Sequence, residues 1–194
     1  NFDPMPKMFF NKKLKNFRLS NIDQKIKLLS NLKVDFVITK KFDKKFSKTK
    51  ALNFISQILN KKLSSKFIFV SNNFRFGNKR EGNVKLLKKY EQLFNYKVVK
   101  PEPLIKSKKI VSSSLIRNLL EKGLLNKANN LLKRNWTIQG VVKKGRQVGK
   151  KIGFPTCNIE IGDYVLAKPG VYAVKVLRKN SKKYLKGIAN LGYR

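Results

Sequence analysis

Three short apolar runs, Val34 to Ile38, Phe67 to Val70 and Tyr96 to Val99, are separated by stretches whose apolar residues recur at helical spacing, and this alternation limits the possible folds more than any other feature. Strands that alternate with helices argue for a parallel sheet, because parallel neighbours need a crossover long enough to hold a helix. A first helix is predicted after Ser20 as N-cap, with Asp23 at its third position and Ile22, Ile26 and Leu29 on one face. A second carries Leu52, Ile55 and Leu59, and a third carries Val84, Leu87 and Leu93. In sheets of this kind ligands gather beyond the carboxyl ends of the strands.

The pattern changes near Trp136, after two short helical pieces parted by Gly123. From there Thr137 to Val142, Val171 to Leu177 and Tyr184 to Leu191 read as strands with no helix between them, the start of an antiparallel β domain. In the middle strand Tyr172, Val174 and Val176 share one face and Lys175 takes the other. The expected boundary falls at about residue 134, dividing the chain into domains 1–134 and 135–194. The chain opens on Asn1 and stops at Arg194 without a terminating signal, and it reads as a piece cut at both ends.

Charge is the most conspicuous bulk property, at +36 from 46 basic and 10 acidic residues. Such an excess suggests nucleic acid, since neutralising phosphates drives that binding. Arginine, the better bidentate phosphate ligand, supplies only 8 of the 46. Lysines are spread over every segment among many Asn and Ile, which reads as compositional drift in an A/T-rich genome; a nucleic-acid partner is therefore disfavoured, and attraction of anionic ligands is what remains. No run reaches the roughly 18 to 20 apolar residues of a membrane span, and no signal peptide is visible, so a cytoplasmic location away from membranes is expected. With one cysteine, Cys157, and no histidine, neither a disulfide framework nor a zinc site is available. Any metal should be a hard cation held by oxygen. Oligomeric state is left open.

Four segments carry candidate chemistry. In Gly145-Arg146-Gln147-Val148-Gly149-Lys150-Lys151-Ile152-Gly153, glycines at four-residue intervals permit close backbone approach, and Arg146, Lys150 and Lys151 offer positive charge to a polyphosphate. Thr156 and Asn158 follow, on one side of an extended chain, where a hydroxyl and an amide oxygen could hold hydrated magnesium. A basic glycine-rich hairpin is the plainer reading. Ser71 to Gly82 follows the second strand, with Asn73 for a polar ring edge, Phe74 and Phe76 for a flat ligand or for the core, and Arg75 and Arg80 for phosphate. Ser112 and Ser113 sit at a helix start with Arg117 one turn in, an anion site in which the helix dipole assists; capping alone would account for one serine.

At this level the chain resembles the bifunctional riboflavin kinase/FAD synthetase family. Gly153-Phe154-Pro155-Thr156-Cys157-Asn158 is similar to the Gly-Phe-Pro-Thr-Ala-Asn signature of riboflavin kinases, with Cys157 in place of Ala. Asn73-Phe74-Arg75-Phe76-Gly77 resembles a flavin- and nucleotide-binding loop of FAD synthetases, and Ser112-Ser113-Ser114-Leu115-Ile116-Arg117 resembles their Ser-Ser-x-x-Ile-Arg motif. Phe2-Asp3-Pro4-Met5-Pro6 resembles Phe-(Asp/Glu)-Pro-His-Pro, with Met5 where His is usual. Lys168 to Ala173 and Gly187 to Gly192 also look like this family. The resemblance covers nearly the whole chain, in the family's order.

It implies a Rossmann-like α/β nucleotidylyltransferase domain lacking its first strand, followed by an incomplete antiparallel β-barrel kinase domain. It further implies ATP phosphate contacts by Ser112, Ser113, Arg117, Gly145, Gly149, Lys151, Gly153, Thr156 and Asn158. Flavin contacts fall to Pro4, Pro6, Asn73, Phe74 and Phe76, and a magnesium ion to Thr156 and Asn158. Riboflavin, FMN and ATP are the implied substrates and FAD the final product. The family's His-x-Gly-His motif and its kinase glutamate are expected outside this chain, which is therefore expected to hold no catalytic residue and neither activity by itself. Two other readings stand beside this one: a nucleotidylyltransferase of the same fold acting on pantetheine phosphate, which does not account for residues 136 to 194, and a basic nucleic-acid-binding protein.

Overall fold

A computed structural model describes residues 1–145, 153 and 156–192. In chain order the elements begin with strand β1 (Phe2–Asp3), helices α1 (Pro6–Phe10) and α2 (Ile22–Asn31), strand β2 (Lys40–Lys41), and helices α3 (Lys44–Ser47) and α4 (Ala51–Asn53). Helix α4 runs on into a wider π-type helix, Phe54–Lys62. Then come β3 (Phe67–Phe69), β4 (Arg75–Phe76), β5 (Gly82–Asn83), α5 (Val84–Lys89), β6 (Lys97–Val99), β7 (Ile105–Lys106) and β8 (Lys109–Ile110). Helices α6 (Ser113–Glu121) and α7 (Leu125–Leu132) precede β9 (Val142–Lys143), β10 (Asn158–Ile159), β11 (Gly170–Leu177) and β12 (Tyr184–Leu191). Among the described residues every sheet is a pair of strands, and none closes into a barrel.

Contacts gather these elements into two compact units, one of residues 1–11 and 38–110, the other of residues 12–37 and 111–194. In the first, β3 and β6 pair in parallel, with Ile68 opposite Val98. Their inward residues are buried while Phe67 and Phe69 face out, the two-residue period of a strand. Helical residues Ile55, Val84 and Leu87 close over Ile68 and Val98, and Ile55 and Leu87 are completely buried. Each is worth about 1.5–3 kcal/mol of burial. The expected strand over Val34 to Ile38 does not form: Phe36 is 86% exposed, and the pairing falls instead on Lys40–Lys41, parallel to Phe2–Asp3. An apolar run becomes a strand only where a partner takes up its backbone groups.

In the second unit α6 and α7 pack Ile116, Leu120 and Ala128 against Val165 and Ala167. Gly123, at φ +75°, ends α6: its N–H reaches Leu120 O at 2.8 Å and that of Leu124 reaches Leu119 O at 2.8 Å, a Schellman closure that turns the chain into α7. The α2 N-cap is Asn21 rather than the expected Ser20. Its side chain accepts from Gln24 N and the Gln24 side chain accepts from Asn21 N, so the glutamine three residues on decides the boundary. Strands β11 and β12 pair antiparallel over eight residues, from Gly170 opposite Leu191 to Leu177 opposite Tyr184. Tyr172 and Val174 are half-buried and Lys175 exposed, as the alternation predicts, whereas Val176 is exposed. Of the strand expected over Thr137 to Val142, only its end is realised, Val142–Lys143 pairing with Asn158–Ile159. Among the described residues no helix is long and apolar enough to cross a membrane.

Candidate functional site

The loop after β3 owes its shape to close packing on α4. Gly77, at φ +76°, leaves room where a Cβ would fall 2.8 Å from the Ala51 backbone. Asn78 N donates to Thr49 O at 2.7 Å, and Ala51 N donates to Glu81 Oε1 at 2.6 Å, so a carboxylate from thirty residues away caps the helix start. Sequence reasoning gave Glu81 no role, and a cap supplied from a distant loop has no local signature. Phe76 is 7% exposed and belongs to the core, in contact with Phe54 at a 5.4 Å ring-centroid distance; Phe74 stacks on it at 5.5 Å and is half-buried. Asn73 is exposed and its Oδ1 accepts from the Ser71 hydroxyl at 3.0 Å. A ligand at this loop would therefore meet Asn73 and the Phe74 edge, with Phe76 as their foundation.

Pro4 is exposed and Pro6 opens α1, a position that needs no backbone N–H. Beside them lies an aromatic cluster the sequence did not announce: Phe2 packs on Phe42 and Phe46, and Phe9 and Phe10 pack on Phe42, with centroid distances of 5.2–5.8 Å. These rings come from segments some thirty residues apart, and they fix the strand that leads into the proline loop.

In the second unit Ser112 is the N-cap of α6, its hydroxyl accepting from Leu115 N at 3.2 Å, and Ser113 is the first helical residue, exposed. Arg117 follows one turn later. Its Nε donates to Phe17 O at 2.7 Å and its guanidinium lies 3.6 Å over the centre of the Phe17 ring. Burial lowers the Arg117 pKa from its ordinary value, with Glu121 acting in the opposite direction. The serines and the arginine thus sit on the first turns of one capped helix, where positive dipole and positive side chain combine.

At the β9–β10 pair, Asn158 stands opposite Lys143, and its amide nitrogen occupies the space above Gly145: a Cβ added there would fall 2.2 Å from Nδ2. The structure thus brings Gly145 and the Asn158 side chain together. Thr156 and Gly153 are exposed nearby in the chain, and Gly149 and Lys151 lie outside the described residues. Thr156 and Asn158 offer oxygen donors of the kind a hard cation takes. No cluster of three or more His, Cys, Asp or Glu occurs among the described residues.

A set of polar contacts missed by sequence reasoning holds residues 16 to 24 in place. Arg18 N donates to Asp163 O at 2.7 Å and Val165 N to Arg18 O at 2.8 Å, the Trp136 indole donates to Leu19 O at 3.0 Å, and the Tyr164 hydroxyl donates to Gln24 Oε1 at 2.6 Å. Burial raises the Tyr164 pKa, opposed by the Gln139 and Asn21 backbone. The partners are more than a hundred residues apart, beyond any periodicity argument.

The parallel strand pair under helices, the capped helix with its arginine and the antiparallel pairs define a class of protein, a mixed α and β fold in two compact units. Comparison makes it particular. A family model for FAD synthetase matches residues 1–115, and one for riboflavin kinase matches residues 132–194. The chain belongs to the FAD synthetase family, in the form that also carries riboflavin kinase sequence. Proteins described as bifunctional riboflavin kinase/FMN adenylyltransferase are similar to it: one from Buchnera aphidicola subsp. Schizaphis graminum is 40% identical over 98% of this chain and 61% of its own length. Those of Escherichia coli K12 and Haemophilus influenzae are 36% and 38% identical over 100% of this chain, and 61% and 62% of their own lengths. The chain thus spans about three-fifths of these relatives. A crystal structure described as a macrolide-efflux protein from Streptococcus pneumoniae matches with a TM-score of 0.77 over 99% of this chain and 62% of that one, at 24% identity, a likeness of fold alone.

Proposed function

We propose that the protein to which this chain belongs makes FAD from riboflavin in two ATP-dependent steps. In the first, the terminal ribityl hydroxyl of riboflavin attacks the γ-phosphorus of ATP, forming FMN and releasing ADP. In the second, an FMN phosphate oxygen attacks the α-phosphorus of another ATP, the α–β bond breaks, and FAD and pyrophosphate result. The observation that carries this reading is the match of both family models, in order, to one chain.

Residues 1–134 serve adenylyl transfer on a Rossmann-like parallel sheet, and residues 135–194 are the front of an antiparallel barrel that serves the kinase step. In the first, Asn73, Phe74, Pro4 and Pro6 contact the flavin while Phe76 supports the loop from within the core. Ser112, Ser113 and Arg117 hold ATP phosphates on the positive end of α6, where donors already in place need no reorganisation as charge develops. In the kinase step Gly145, Gly149, Lys151 and Gly153 let backbone and ammonium groups approach the nucleotide, and Thr156 and Asn158 hold magnesium. When bound, that ion neutralises charge on the phosphates. Work on free ATP and flavin fits the cytoplasm.

The test is to express the complete gene and incubate the purified protein with riboflavin, ATP and magnesium, separating flavins by chromatography. FMN should appear first and FAD after it. Tight binding of RNA at moderate salt, with no quenching of flavin fluorescence, would sink the proposal in favour of a nucleic-acid-binding protein.

A further inference from the structure

We infer that Phe17 is a positioning residue for adenylyl transfer, holding Arg117 in its phosphate-binding pose; this rests on the reading of Arg117 given above. Two contacts of different kinds converge on one guanidinium. The Phe17 carbonyl accepts from Nε at 2.7 Å, which fixes the direction of the side chain, and the Phe17 ring lies 3.6 Å from Cζ, which fixes the plane of the fork. Neither contact uses the terminal nitrogens, whose planar arrangement suits bidentate phosphate contact.

A clamp of this sort works only if its base is rigid, and Phe17 is followed directly by an anchor. Arg18 forms a parallel bridge with Tyr164, its N–H bonds Asp163 O at 2.7 Å, its carbonyl accepts from Val165 N at 2.8 Å, and its Nε lies 3.6 Å from Asp163 Oδ2. On the preceding side the Asn16 amide donates to Gly162 O at 2.8 Å. Residues 162–165 fall in the segment matched by the riboflavin kinase model, whereas Phe17 and Arg117 are not in that segment. Kinase-module backbone therefore holds the residue that orients an adenylyl-transfer side chain.

The ring is the part that substitution can remove without touching the carbonyl. In the complete enzyme, Phe17→Leu should raise the KM for ATP in FMN adenylylation about three- to tenfold, the range expected for losing a partly desolvated cation–π contact. Riboflavin phosphorylation, which draws on the same folded unit, should keep its kcat and its KM for ATP. Phe17→Tyr, which keeps an aromatic face, should restore the adenylylation KM. Equal loss of both activities would mean that the ring serves folding alone, and an unchanged adenylylation KM, or no rescue by tyrosine, would mean that Arg117 does not depend on it; each overturns the inference. A wild-type enzyme that forms no FAD would instead refute the functional proposal itself, so the two failures are distinguishable.

Discussion

Tyr96 ties the first unit to an alkaline limit that can be worked through. It is 6% exposed, and its hydroxyl donates to Leu87 O at 2.6 Å inside the cluster formed by α5 and β6. Burial, with the Glu91 carboxylate nearby, pushes its pKa from the ordinary 10 up to about 12. A raised pKa on a phenol means that the folded state favours the neutral form. The contribution is complete below pH 10, where both states are protonated, and is lost as pH climbs through 12, because the unfolded chain ionises first. The loss amounts to about 2–3 kcal/mol when complete and about 1.4 kcal/mol at pH 11.

Tyr96→Phe removes the ionisation and the hydrogen bond together. Leu87 O keeps its bond from Tyr90 N at 3.2 Å, so the neutral-pH cost of the substitution is modest, about 1 kcal/mol. Wild type should therefore be the more stable at pH 8, the two should cross between about pH 10.5 and 11, and the variant should be the more stable near pH 12. Urea midpoints measured at half-unit steps from pH 8 to 12 read this directly. A difference that stays constant over the whole range would refute the assignment.

Two further outcomes follow from the glycines. Gly145→Ala should leave the urea midpoint nearly unchanged, because the group it meets is the end of the Asn158 side chain, yet should raise the KM for magnesium-ATP in riboflavin phosphorylation by roughly tenfold if Asn158 serves there; steady-state kinetics decide it. Gly77→Ala meets Ala51 backbone at 2.8 Å from φ +76°, where nothing can retract. It should cost about 3 kcal/mol, moving the urea midpoint by about 1–2 M, while Gly192→Ala, with no atom within 4 Å of its Cβ, should move it little.

Much of the candidate site was legible because its parts are local. Ser112 caps α6 as a serine ahead of a helical run should, with Arg117 one turn later, and the Asn158 side-chain amide lies over Gly145, where an added Cβ would displace it. Phe76 shows the limit of such reading: next to Asn73 in a ligand-like loop, it is nevertheless a core residue, since the same aromatic serves both purposes and only its neighbours decide. The Ser20 cap was displaced to Asn21 by reciprocal bonds with Gln24, a contest among several polar residues that turns on geometry.

By itself, then, the sequence determined most of the helical periodicity, the α6 cap and the ordered motifs, because each depends on residues within one or two turns of each other, and these were enough to establish the family. Tertiary structure decided the rest. It left Val34 to Ile38 outside any ladder with Val34, Phe36 and Ile38 exposed, assembled five phenylalanines from two segments, and drew residues 12–37 into the unit formed by residues 111–194. Each of these depends on which surfaces meet after long loops close, and a packing partner over a hundred residues away leaves no mark on the local pattern.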